Sequence, residues 1–279
     1  MAGRFGVTGF VGLAGLISLL FASAPLRAQG QSEPRPMAAE KDAPIDLSGY
    51  WVSLITQDWR FRMLVPGRGE YAAIPINTKG KQTADAWRAA PDEAAGKQCE
   101  AYGAAVLMRN PERLHITWQD ANTLRVDTDA GMQTRLLHFL PPSPGGPPAG
   151  GSAAPFVAPH TDAPPSWQGQ SVARWPSVRA GGGVGGATAA NAPRPDSFEV
   201  MTVDMLPGLL RKNGVPYGPK TTMHEWWELY TEPTGEQWLT INTRVYDEEY
   251  LQKPYLYESI FQKEPNGSKW NPTPCSLTS

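Results

Sequence analysis

Residues 113–139 read RLHITWQDANTLRVDTDAGMQTRLLHF. Leu114, Ile116 and Trp118 alternate with His115, Thr117 and Gln119, the two-residue period of a strand with one buried face. Asp120-Ala121-Asn122 can turn the chain, Leu124 and Val126 resume the alternation, and Asp129-Ala130-Gly131 turns it again before residues 132–139. Glycine and Asx residues stand where a tight turn needs positive φ or a side chain that bonds its own backbone. The segment predicts a three-stranded antiparallel meander, around which the rest of the chain is expected to build.

Working outward, strands are expected at residues 52–56, 167–175, 198–204, 221–231, 237–246 and 255–263, with residues 59–62 continuing or pairing with the first. One short helix fits residues 78–90. Residues 67–76 and 206–219 read as loops, the second holding the turn pairs Asn213-Gly214 and Tyr217-Gly218. About nine strands at turn-punctuated spacing predict an all-β fold, an antiparallel barrel or sandwich.

The chain opens with Arg4, an apolar glycine-dotted run over residues 5–22 and small residues ending at Ala28, the pattern of an export signal cleaved near Ala28. Residues 29–45 are polar and proline-containing, which predicts a disordered tail. That leaves residues 46–279 as one β-rich domain. Residues 140–165 and 180–195, the latter around GGGVGG, cannot bury enough side chain to order themselves and read as flexible insertions. No Lys-Ser/Thr follows those glycines, so they are not a phosphate loop. The net charge of −2 and the scattered basic residues argue against nucleic acid. No later stretch has the length of a membrane span, so no stable membrane insertion is expected once the signal is removed. Cys99 and Cys275 are the only cysteines; in an exported chain they predict a single disulfide. Closing so long a loop contributes roughly 4–5 kcal/mol on a chain-entropy model.

Four pieces, in this order, carry a resemblance: DLSGYW at 46–51, KQCEAYG at 97–103 with a Met-x-x-Pro step after it, SWQGQSVARW at 166–175, and YDEEYLQKPY at 246–255. Together they resemble an uncharacterised family of exported bacterial β-rich proteins. The resemblance covers most of the mature chain and implies a periplasmic or secreted location and the strand map, with no activity attached. Two features depart from that pattern. The 180–195 insertion replaces a Glu-Gly-Asp turn, and Lys220-Thr221-Thr222-Met223 stands where relatives carry Pro-His-Ser-Glu. Gly49-Tyr50-Trp51 at the head of the first strand also resembles lipocalin-like barrels, where the indole plugs one end.

His224-Glu225-Trp226-Trp227-Glu228 begins like the zinc-peptidase HExxH, but Glu228 stands where the second histidine belongs. The segment alternates like a strand, with His224, Trp226 and Glu228 on one face and Glu225 on the other. Turned into a barrel, His224 and Glu228 are the expected acid–base pair and Glu225 the indifferent glutamate; turned outward, they are a solvated face. Trp51, Trp118, Trp167, Trp175 and Trp226, with His115 and Arg135, are the expected lining of a pocket for an apolar or aromatic molecule. The same indoles suit an ordinary core equally well. No serine-triad order, nucleophile elbow or multi-cysteine pattern is present, so no metal and no cofactor is expected. The leading expectation is a lipocalin-like exported protein that binds a hydrophobic or aromatic small molecule. The alternatives are a hydratase, dehydratase, isomerase or hydrolase using His224 and Glu228, and an envelope interaction protein.

Overall fold

The alternation along 113–139 forms three strands, β2 (Arg113–Asp120), β3 (Thr123–Thr128) and β4 (Thr134–Phe139). These numbers count from β1 (Gly49–Leu54). The others in chain order are β5 (Gln170–Arg174), β6 (Ser177–Val178), β7 (Ala192–Pro193), β8 (Ser197–Val203), β9 (Gly208–Arg211), β10 (Val215–Tyr217), β11 (Thr222–Thr231), β12 (Gln237–Tyr246) and β13 (Tyr255–Glu264). The computed structural model describes residues 39–41, 43–140, 156, 162–175, 177–178, 192–193 and 196–278, all within one compact unit, 36–279. The residues expected to form an export signal, and most of both Gly/Pro-rich stretches expected to be flexible insertions, lie outside the described residues.

Nine strands close into a barrel in the order β1-β13-β12-β11-β8-β5-β4-β3-β2. β1 seals it, with Tyr50 opposite Glu264 on one side and His115 on the other. Every barrel seam is antiparallel except one: β4 and β5 run parallel, Leu137 opposite Ser171. A parallel neighbour needs a long crossover, and β5 begins 31 residues after β4 ends. β6 pairs with β7, and β9 with β10, outside the barrel.

One phase of each strand fills the barrel. Trp51, Ile116, Val126, Leu137, Phe198, Trp227, Ile241 and Phe261 are buried there. Large aromatic side chains such as these bury about 150–250 Å² each, which at about 25 cal/mol per Å² makes this interior the main source of stability. These side chains form one core cluster inside the barrel.

The segment between β1 and β2 closes one end. It contains α1 (Trp59–Met63), α2 (Thr78–Ala86), α3 (Ala89–Ala94), a 3-10 turn at Gln98–Tyr102 and α4 (Ala104–Leu107). α4 is the stopper: Ala104, Ala105, Leu107 and Met108 are wholly buried, and the hydroxyl of Tyr257 donates to the Ala105 carbonyl. Gly103 makes the entry possible, because a Cβ there would collide with the Tyr217 hydroxyl and lie 3.0 Å from the Trp167 carbonyl. Three expectations are corrected here. Residues 59–62 form α1 rather than strand, and 78–90 hold two helices broken at the extended Trp87. Residues 206–219 contain the β9–β10 hairpin rather than a bare loop. Ala39 also belongs to the fold although the tail was expected to be disordered as far as 45. It is buried, its N–H donates to Asn122 Oδ1 at 2.9 Å, and Glu40 N–H donates to the Ala121 carbonyl.

Cys99 and Cys275 form the expected disulfide. It fastens the C-terminal tail to the 3-10 turn, and the tail also pairs with the β3–β4 turn through Gly131 N–H to the Thr273 carbonyl and Thr273 N–H to the Asp129 carbonyl. Gly131 has φ +77°, and a side chain there would strike the Tyr102 ring. Replacing both cysteines by serine should lower the free energy of unfolding by about 2–5 kcal/mol, read from urea titration. A change within error would show that the tail pairing alone holds this wall.

Candidate functional site

The two glutamates of β11 exchange the roles expected of them. Met223, Glu225 and Trp227 point into the barrel and are buried; His224, Trp226 and Glu228 lie on its outer wall. Inside, Arg135 of β4 grips Glu225 through Nη1–Oε1 at 3.1 Å and Nη2–Oε2 at 2.5 Å, with both side chains fully shielded. Nη2 also donates to Thr202 Oγ1 at 2.8 Å and Nε to Ser171 Oγ at 3.3 Å, and the two hydroxyls are 2.8 Å apart. Arg135 is therefore a framework residue rather than the wall of a ligand pocket.

His224 and Glu228 do not form the expected pair, because four residues along a strand span about 13 Å. His224 Nε2 instead stands 3.7 Å from Glu199 Oε2, and its ring lies 3.9 Å from that of Trp226. Arg174 donates to the same Glu199 oxygen at 2.8 Å and lies over Phe156. His224 first, with Arg174 assisting, holds the Glu199 carboxyl below its ordinary range. Trp226 and Glu228 border a shallow depression on the outer wall with Asn242, Arg244 and Leu256.

The other expected pocket residues are dispersed. Trp51 is interior, its indole donating to the Leu47 carbonyl at 2.8 Å. Trp118 and Trp175 meet around Phe139, at 5.4 and 4.8 Å between ring centres, toward the far end of the barrel. Trp167 is half-buried in the turn before β5. His115 stacks on Tyr50 outside the barrel at 4.2 Å, with Trp270 edge-on. These residues share no single cavity, because the inward phase is spent on packing.

A cleft of about 380 Å³ lies at the plugged end. α1 and the residues after it, the 3-10 turn, residues 109–111, the end of β9 and the disulfide-held tail at Thr273, Pro274 and Ser276 form its walls. Its lip is apolar and open: Met63 is 55% exposed and Leu64 59%. Arg62, Arg109, Arg211 and Lys212 also line it, and no carboxylate does.

These cations are held by the plug itself. Arg109 is buried 3.2 Å from Asp58 and faces the Tyr255 and Tyr257 rings at 5.8 and 5.1 Å, a cation–π arrangement. Arg211 donates to the carbonyls of Glu70 and Ala72 and lies 4.5 Å over Phe61. Lys212 donates to the Tyr102 hydroxyl at 2.8 Å. Arg62 Nε donates to the Arg109 carbonyl at 2.8 Å. Its Nη2 and the Nδ2 of Asn110 are buried donors without a hydrogen-bond partner among the described residues. Burial first and Arg109 second bring Arg62 down to about 10, which leaves it charged at neutral pH. Behind the cleft, Glu112 is buried with neither oxygen bonded; burial, then the charge of Asp129, pushes its carboxyl far up and favours the neutral acid.

Sequence reading passed over this site because its cations come from pieces read as strand, connecting step and loop. The one available signal was an arginine directly after an apolar residue, in Phe61-Arg62, Met108-Arg109 and Leu210-Arg211.

Two measurements follow from these environments. Arg135→Met strands Glu225 in the core and should cost about 3–5 kcal/mol of unfolding free energy, whereas Arg135→Met with Glu225→Leu should recover most of it. Equal losses in single and double variants would mean that packing, not charge, sets the cost. Glu100, in the 3-10 turn, is raised to about 7 by burial first and by Asp92 second. Unfolded, it titrates near about 4.3. Between those values the folded state keeps a proton that the unfolded state releases, so stability falls as pH rises through that window. Glu100→Gln should flatten the fall in melting temperature from about pH 5 to about pH 7; an unchanged slope would refute the assignment. No family model matches the chain, and no curated protein or solved structure matches it, so the chemistry of the cleft is read from its own residues.

Proposed function

We propose that this is an exported barrel protein that binds a small molecule with an apolar body, and that the molecule sits in the cleft at the plugged end rather than inside the barrel. The observation that carries the reading is the cleft itself. It has the size of small-molecule sites, about 300–1,000 Å³, with an apolar lip at Met63, Leu64 and Val65, while the inward side chains of the barrel pack into a core cluster. The apolar residues at 5–22 and the disulfide both suit a chain that matures in an oxidising compartment. Acid–base catalysis by His224 and Glu228 is left out of the proposal because the strand holds them too far apart.

The test is fluorescence titration with the neutral probe N-phenyl-1-naphthylamine. Wild-type protein should enhance its emission saturably. Val65→Trp, a substitution at a half-open lining position, should fill the cleft and weaken binding by roughly tenfold or more at an unchanged melting temperature. Trp226→Ala, on the outer wall, should bind like wild type. No saturable binding by wild type, or loss only in the outer-wall variant, would overturn the proposal.

A further inference from the structure

A cleft made for a wholly apolar molecule would be poorly served by these walls. A neutral body pressed against guanidinium groups strips their water and gives nothing back. Arg62, Arg109, Arg211 and Lys212 line the cleft without a carboxylate among them. All four spend donors on the plug: Arg62 Nε on the Arg109 carbonyl, Arg109 on Asp58, Arg211 on two carbonyls, Lys212 on Tyr102. Two buried donors are left facing no acceptor, Arg62 Nη2 and Asn110 Nδ2. Asn110 is only 8% exposed, so bulk water does not readily satisfy it.

These two donors are neighbours by construction. Arg62 Nε donates to the carbonyl of Arg109, and that carbonyl belongs to the peptide whose nitrogen is Asn110. The guanidinium and the amide are thus anchored on one peptide unit, where two donors can meet the oxygens of a single acid group. Glu112 does not supply those oxygens: it stays off the lining, and its own carboxyl oxygens are unbonded.

We infer that the cleft seats the oxyanion head of an amphipathic molecule, a carboxylate or a phosphate ester, on Arg62 and Asn110, with the apolar body lying along Leu64, Val65 and Leu210. This rests on the cleft being the binding site proposed above. Arg109 and Lys212 add positive potential to the same wall, which strengthens a charge-assisted bond formed away from bulk water.

The experiment displaces N-phenyl-1-naphthylamine from the full chain, disulfide intact, with octanoate, octyl phosphate and octanol. At least one acid should displace the probe at a concentration roughly tenfold or more below that of octanol, the effect of one charge-assisted hydrogen bond. The more potent of the two acids identifies the head group. The preference should shrink with added sodium chloride while octanol is unaffected. Arg62→Gln and Asn110→Leu should each reduce the preference and leave octanol displacement as in wild type. If Arg62→Gln does not fold, Asn110→Leu and the salt series decide. Equal potency of all three compounds overturns the oxyanion head and leaves the apolar cleft standing. A preference that survives both substitutions overturns the assignment to these residues. Failure of wild type to bind probe or amphiphile overturns both readings.

Discussion

Arg135 and Glu225 meet inside the barrel from β4 and β11, strands separated by two others. The strands between them, β5 and β8, each add one hydroxyl, Ser171 and Thr202, to the same cluster. Four consecutive strands are thus tied by one buried ionic network. It spans the only parallel seam of the barrel, where three residue pairs join β4 to β5. Slipping any of these strands by one residue would turn its polar group to the outer wall and leave the rest unpaired in a medium where an isolated charge costs several kcal/mol. The cluster fixes register where the ladder is shortest. The apolar packing of the two barrel halves depends on that register.

Much of the architecture could be read from the chain. The meander at 113–139, the long alternations of β11 to β13 and the pairing of Cys99 with Cys275 rest on local periodicity or on counting, and both survive without knowledge of tertiary partners. What periodicity could not supply was the direction of a face. In TTMHEWWELYT each phase carries a tryptophan and a glutamate, so hydrophobicity alone does not separate them. The residue that decides is Arg135, 90 positions away and itself on a phase that also holds Leu137 and Phe139. A buried ion pair looks, in sequence, like two surface charges. The helices of the plug were hard to place for another reason. α1 and α4 have five and four residues, too short to show a helical period; docking against the mouth of the barrel makes them helical.

The division of labour in the fold follows from this. The barrel is a frame with its interior committed to packing, and most of the cleft's walls come from what was inserted between β1 and β2 and between β8 and β11. Those insertions can hold arginines in half-shielded positions because their backbone carbonyls are not used up by a ladder: Arg62 and Arg211 are both anchored on carbonyls of the plug. A strand residue in the barrel wall has no such carbonyl to offer, which is why the polar groups of the barrel pair with one another and those of the plug remain available.

One wall of the cleft is the tail that carries Cys275, and Cys99 lies 176 residues before it. The ribosome therefore makes eight of the nine barrel strands, all but β1, between the two sulfurs. Until an oxidant joins them, Thr273, Pro274 and Ser276 are held by main-chain bonds, the Tyr102 hydroxyl and the burial of neighbouring Leu277. The protein thus has a chronology as well as a shape. The strands are complete when translation ends, and the covalent clamp on this wall of the cleft forms only when the surroundings are oxidising. A chain in a thiol-rich compartment keeps that wall without its covalent clamp.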